Sequence, residues 1–123
     1  MRYLRIYAED DGDGASRFED AELQETMTHI VRGVPPLLVA GPFPCTEITF
    51  VEQPKDAHWE VHVAPRKQWI IVLCGRAAVT ITDGQCREVG PGDIVLVEDT
   101  AGRGHLTTPL TTDFRFAMIP NAE

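Results

Sequence analysis

The sequence predicts an all-β sandwich or barrel, and three observations lead there. Short runs rich in β-branched and aromatic residues follow one another at close spacing from Thr46 onward. These runs are punctuated by Asp83-Gly84, Gly90-Pro91-Gly92 and the glycines of 102–104, residue types that supply the backbone angles of tight turns. The nearest approach to a helical face, formed by Phe18, Leu23, Met27 and Ile30, is ragged and is followed by Pro35-Pro36, which forbids a helix.

Residues 2–8 alternate loosely, carry Tyr3, Ile6 and Tyr7, and suit a short strand. Asp10-Asp11-Gly12-Asp13-Gly14 reads as a solvated turn, and because it lacks the length and closing Glu of an EF-hand loop, no metal is assigned to it. Residues 17–32 are expected to be irregular. The stretch 33–44, with four prolines, is expected to be extended and turn-rich, so that the first third of the chain forms an irregular N-terminal arm.

From the run 46–51 onward the chain reads as strand after strand, over 58–63, 69–73, 77–82, 94–98, 105–108 and 114–119. Asp83-Gly84, between Val79-Thr80-Ile81-Thr82 and Cys86-Arg87-Glu88-Val89, predicts a hairpin with a type I′ turn. No internal repeat or linker divides the 123 residues, so one domain over 1–123 is expected, long enough to bury about two-thirds of its unfolded surface.

Nineteen acidic against 11 basic side chains give a formal charge of −8, a field that repels a phosphate backbone and argues against nucleic acid as a partner. No run approaches the ~18 apolar residues of a membrane span, and the first ten residues turn acidic before an apolar leader segment can form. A cytoplasmic protein without membrane contact is the expectation. Cys45, Cys74 and Cys86 are odd in number and widely spaced, which suits reduced thiols better than a disulfide framework or a zinc site.

Two blocks carry a motif order. In the first, His62 is followed by Ala64, Gln68 and, after six further residues, Gly75. In the second, Gly90-Pro91-Gly92-Asp93 precedes the run 94–98 and the loop Gly102-Arg103-Gly104-His105. Together they resemble the paired motifs of the cupin superfamily, whose first motif runs His-x-His, Glu, Gly and whose second ends in His. The resemblance covers roughly residues 45–120 and implies a single cupin, a jelly-roll-like β-barrel, holding a small molecule in its mouth. In an ordinary cupin three His and one Glu bind a transition metal; here Ala64 and Gln68 stand at two of those four positions. The resemblance therefore implies a degenerate site with no tightly bound cofactor. A divalent transition metal is the alternative, held by His62 and His105 with Glu60 or His58 completing the set.

Strand alternation would put His58, Glu60, His62 and Ala64 on one face. His62, His105 and Glu60 are accordingly the candidate catalytic acids and bases, with Gln68, Arg66 and His58 as substrate-binding residues. Arg66 suits a carboxylate or phosphate, or equally a surface ion pair. Three functions compete: a cyclase, isomerase or lyase doing acid–base chemistry on a small polar metabolite; a metal-dependent oxygenase or lyase; and a non-catalytic small-molecule-binding module. A homodimer is expected, because the apolar strands around Trp69 and Phe114 would need covering.

Overall fold

Side-chain alternation decides which way each strand faces. In the computed structural model, which describes residues 1–10 and 12–122, the chain forms eleven strands, with no helix among the described residues. They are β1 (Arg2–Ala8), β2 (Ser16–Glu22), β3 (Thr26–Thr28), β4 (Leu37–Val39), β5 (Thr49–Glu52), β6 (Gln68–Cys74), β7 (Ala77–Thr80), β8 (Cys86–Val89), β9 (Ile94–Val97), β10 (Leu106–Pro109) and β11 (Arg115–Pro120). Six form one sheet in the order β2-β1-β9-β6-β11-β5, with β1 parallel to β9 and the other neighbours antiparallel. A second sheet has the order β10-β7-β8, and β3 with β4 makes a two-stranded ribbon.

The core lies between the two larger sheets. Leu4 and Ile6 of β1, Val72 of β6, and Val95 and Val97 of β9 meet Ala77 and Val79 of β7, Val89 of β8 and Phe114 in one buried cluster. Each such Val, Leu, Ile or Phe side chain contributes roughly 1.5–3 kcal/mol on full burial. Register extends the pattern: Gln68, Ile70 and Val72 of β6 stand opposite Val97, Val95 and Asp93, or in line with them, along the same edge of β9.

The expected irregular N-terminal arm is not what forms. β1 and β2 pair over their whole length, from Arg2 opposite Glu22 to Ala8 opposite Ser16, and β1 buries Leu4 and Ile6 in the core. β2 escaped detection because it is an edge strand of largely charged residues, held by backbone pairing and by ion pairs such as Arg5–Glu19 at 3.6 Å, so it has no apolar period. Asp11 of the acidic turn lies outside the described residues.

The expected all-β architecture is present as separate sheets that share a core, with no closed barrel among the described residues. Residues 58–63 form no strand; their only ladder contact is an isolated bridge from His62 to His105, next to β10. Local bonds hold the segment as a loop, with Trp59 Nε1 donating to the Pro54 carbonyl at 2.9 Å.

The hairpin at Asp83-Gly84 is present with a different turn. Only Gly84 has positive φ, at 86°, while Gly84 N donates to Ile81 O (2.9 Å) and Ile81 N to Gln85 O (3.0 Å). That is a type I turn closed by a left-handed glycine, a three-residue loop that gives the β-hairpin its twist without asking Asp83 to leave the ordinary region.

Of the apolar strands around Trp69 and Phe114, the part at Phe114 is buried within the chain, whereas Trp69 and Ile71 are half-buried and Leu73 is exposed. Phe114 is buried against Phe116, with ring centroids 5.3 Å apart, and Trp69 packs edge-on to Tyr3 at 5.3 Å and beside Phe43 at 5.5 Å. Large apolar side chains also stand exposed on and near the β3–β4 ribbon, at Met27, Ile30, Leu37 and Leu38, and at Phe50 of β5.

Candidate functional site

Between the sheets lies a cavity of about 220 Å³. Ile70 and Val72, Val95 and Val97, and Phe116 and Met118 supply its apolar wall from three neighbouring strands. Its polar lining comes from His62, His105, Gln68, Gln53 and Thr107, and no Asp, Glu, Lys or Arg lines it among the described residues. An apolar space with a few polar groups at fixed places is the usual form of a small-molecule site.

The strongest polar feature sits behind the cavity wall. Asp99, two residues beyond β9, is fully buried, and its Oδ2 lies 2.5 Å from Nδ1 of His105. A carboxylate accepts, so Nδ1 carries the proton and Nε2 of His105 keeps its lone pair. His62 has the same tautomer for a different reason: its Nδ1 lies 2.9 Å from the Val63 carbonyl, which also only accepts. The rings of His62 and His105 stand 5.5 Å apart, the first exposed at the cavity mouth and the second buried. Oδ1 of Asp99 is buried without a hydrogen-bond partner. A carboxylate taken out of water with one oxygen unbonded is costly unless positive charge develops beside it, and the imidazole of His105 is the adjoining group able to carry that charge.

Backbone bonds lace this pair to the mouth. His62 and His105 exchange two N–H···O bonds of 3.0 Å each, and Ala64 N donates to Asp99 O at 3.0 Å. Gly104 makes the close approach feasible: its φ is +75°, and a Cβ there would stand 2.3 Å from the His62 carbonyl oxygen. Buried Ser16, the first residue of β2, donates its hydroxyl to Gly104 O at 2.7 Å and bonds Thr82 through both its backbone N and its Oγ. The acidic turn contributes as well, with Asp13 pairing Arg103 at 2.8 Å and Gly14 O accepting from Arg103 N at 3.1 Å. Next to Asp99, Glu98 faces the other way and hydrogen-bonds Arg5 at 2.5 Å; that bond raises the guanidinium above its ordinary value against the opposing effect of partial burial.

The structure brings His62, His105 and Gln68 to one cavity. It does not bring Glu60, His58 or Arg66 there. Glu60 and His58 are exposed and stand 3.5 Å from one another at the surface, and Arg66 pairs with Glu47 outside the cavity. The alternation argument that placed Glu60 and His58 inward requires a strand, and residues 58–63 do not form one. Asp99, Gln53, Thr107 and Ser16 are the site residues that sequence reasoning did not assign. The one signal for Asp99 was its place in the loop that ends at His105.

In the cavity lining His62 and His105 offer two imidazoles, Ala64 offers a methyl group, and Gln68 and Gln53 offer neutral amides. Catalytic metal sites commonly take three protein ligands, and no group of three or more His, Cys, Asp or Glu suited to a metal occurs among the described residues.

Comparison with known proteins adds no assignment: no family model matches the chain, and no curated protein matches it.

Proposed function

We propose that this chain is a cupin-like enzyme of small molecules that moves protons within its cavity, as an isomerase, cyclase or lyase does, without a tightly bound metal. The order of His62, Gln68, Gly75, Pro91-Gly92-Asp93 and His105 supports the family reading. The observation that carries the chemistry is the buried Asp99–His105 pair, whose 2.5 Å bond leaves Nε2 of His105 as a base.

In this reading His105 Nε2 takes a proton from a carbon next to a substrate carbonyl. The C–H electron pair moves into the enolate, Gln68 hydrogen-bonds the substrate oxygen, and the buried carboxylate of Asp99 stabilises the imidazolium. The proton then returns from His105, or from His62 at the mouth, to the same or a neighbouring carbon. The established sequence of events in Asp–His pairs is the same: the carboxylate orients and stabilises, and the imidazole transfers.

The test follows exchange of the α-protons of cyclohexanone and related cyclic ketones for deuterium in D₂O by ¹H NMR. Exchange above the buffer rate that disappears in His105→Ala supports the reading. A wild-type protein no faster than buffer, or a variant as fast as wild type, overturns it. Metal content measured on the same samples separates the alternative: one equivalent of metal that is lost in a His62→Ala/His105→Ala variant, with exchange following the metal, favours a metal-dependent enzyme instead.

A further inference from the structure

We infer that the ligand of this cavity is an uncharged molecule the size of a single ring, with an apolar body and one hydroxyl or carbonyl at the His105 end. The inference rests on the same cavity as the proposed function and names its substrate class, replacing the small polar metabolite that the sequence suggested. Its test is binding rather than turnover.

Three observations point the same way. The first is size. A cavity of about 220 Å³ falls below the range of about 300–1,000 Å³ that holds drug-sized ligands, yet exceeds the roughly 150 Å³ that holds benzene in an apolar protein interior. A nucleotide or a disaccharide does not fit, whereas one ring with a substituent does.

The second is charge. Among the described residues no Lys or Arg lines the cavity, Arg66 is engaged by Glu47 outside it, and the chain as a whole carries −8. A ligand carboxylate or phosphate entering here would lose its water and meet no guanidinium or ammonium, only the imidazole of His62 at the mouth and that of His105, which already faces the Asp99 carboxylate.

The third is the order of side chains along β6. Gln68, Ile70 and Val72 enter the cavity in succession, and opposite them in register β9 presents Val97 to Gln68 and Val95 to Ile70. Asp99 and the loop to His105 continue from the Val97 end of β9, so Gln68 and His105 stand at that end, while the Val72 end is bounded by Val95, Phe114 and Phe116, with Gln53 next to Phe114 as its polar group. A ligand with a polar group at one end is oriented by that gradient, its oxygen toward Gln68 and His105 and its ring against Val72 and Phe116. The alternative orientation would set the oxygen against Val72, Phe114 and Phe116, where the polar side chain is Gln53, whose amide already donates to the Thr107 carbonyl at 3.0 Å.

The experiment compares cyclohexanone, cyclohexanecarboxylate and the two-ring 2-decalone by ligand-observed NMR and by ¹H–¹⁵N shifts of the full-length protein. Cyclohexanone is expected to bind at least about tenfold more tightly than either competitor, a ratio that corresponds to about 1.4 kcal/mol. It should also shift the ring nitrogens of His105. Val79→Phe, which puts a ring into the cavity, is expected to abolish binding. Val72→Ala, which lengthens the apolar end, is expected to improve binding of 4-ethylcyclohexanone relative to cyclohexanone, and it keeps the proposal testable if Val79→Phe does not fold. Equal or tighter binding of the carboxylate or of 2-decalone, no binding of cyclohexanone at millimolar concentration, or unchanged preference in Val72→Ala overturns the inference. Selective binding without α-proton exchange would leave the ligand class standing and remove the catalytic reading.

Discussion

Asp99 and His105 stand six positions apart in the chain and meet through a 2.5 Å bond from Nδ1 to Oδ2, with the carboxylate fully buried and its other oxygen unbonded. The bond assigns the tautomer of His105, and with it the nitrogen that faces chemistry.

Asp99→Asn tests that assignment directly. An amide can present its NH₂ to Nδ1, which then accepts, and the proton moves to Nε2. Long-range ¹H–¹⁵N spectra of the imidazole should show Nδ1–H in the wild type and Nε2–H in the variant. Exchange activity should fall by roughly 10²- to 10⁴-fold, the usual contribution of a positioned base. An unchanged tautomer would show that the carboxylate does not govern the imidazole.

Ser16→Ala should weaken the loop that carries His105. The substitution removes the donor to Gly104 O and one partner of Thr82 in a fully buried place, leaving those groups without a replacement. The expected cost is roughly 1–3 kcal/mol in denaturant unfolding, with a loss of hydrogen-exchange protection concentrated at residues 102–105. Protection lost evenly over the molecule would deny Ser16 its local role.

Gly104→Ala should be worse for the site than for the sheets. A left-handed φ of +75° and a Cβ held 2.3 Å from the His62 carbonyl oxygen force the His62–His105 bridge apart. The strain and the lost bridge together should cost about 2–3 kcal/mol in thermal or chemical unfolding. The amide resonances of His62 and His105 should shift most, and a variant as stable as wild type would show that the loop accommodates the methyl group by moving.

Asp20 of β2 and Arg87 of β8 make a paired contact of 2.7 and 3.2 Å that ties the edge of the large sheet to the small one. The hydrogen bond from Arg87 is the main cause that holds Asp20 below the ordinary carboxylate value, so the native state binds its proton less readily than the unfolded chain does. The contribution is therefore present above about pH 4 and is lost as pH falls through the depressed native value. Wild type should melt above Asp20→Asn at pH 7, and the difference should close as the pH falls through the depressed native value. A difference that persists in acid would place its origin outside the ion pair.

Much of the fold was legible because strand formation reads over a few residues. β6, β7, β8, β9 and β11 coincide with short runs bounded by turn residues, and Val72, Val79, Val89, Val95 and Val97 are the β-branched residues that the first four of them bury. β2 was not legible because an edge strand of charged residues takes its conformation from the partner strand rather than from a buried face. The turn at Asp83-Gly84 was legible as a turn but not as a type, since the same dipeptide serves a two-residue or a three-residue loop and the pairing register chooses between them.

By itself the sequence determined an all-β chain, its negative charge, most of its strands, and the choice of His62, Gln68 and His105 as residues to watch. Only the tertiary structure decided that Asp99 backs His105, that Ser16 holds the loop beneath it, and that Glu60, His58 and Arg66 look outward. The reason lies in the range of the forces involved. Alternation orients side chains only inside a strand, whereas in the loops around 58–66 and 99–105 each orientation depends on hydrogen bonds to residues distant in sequence.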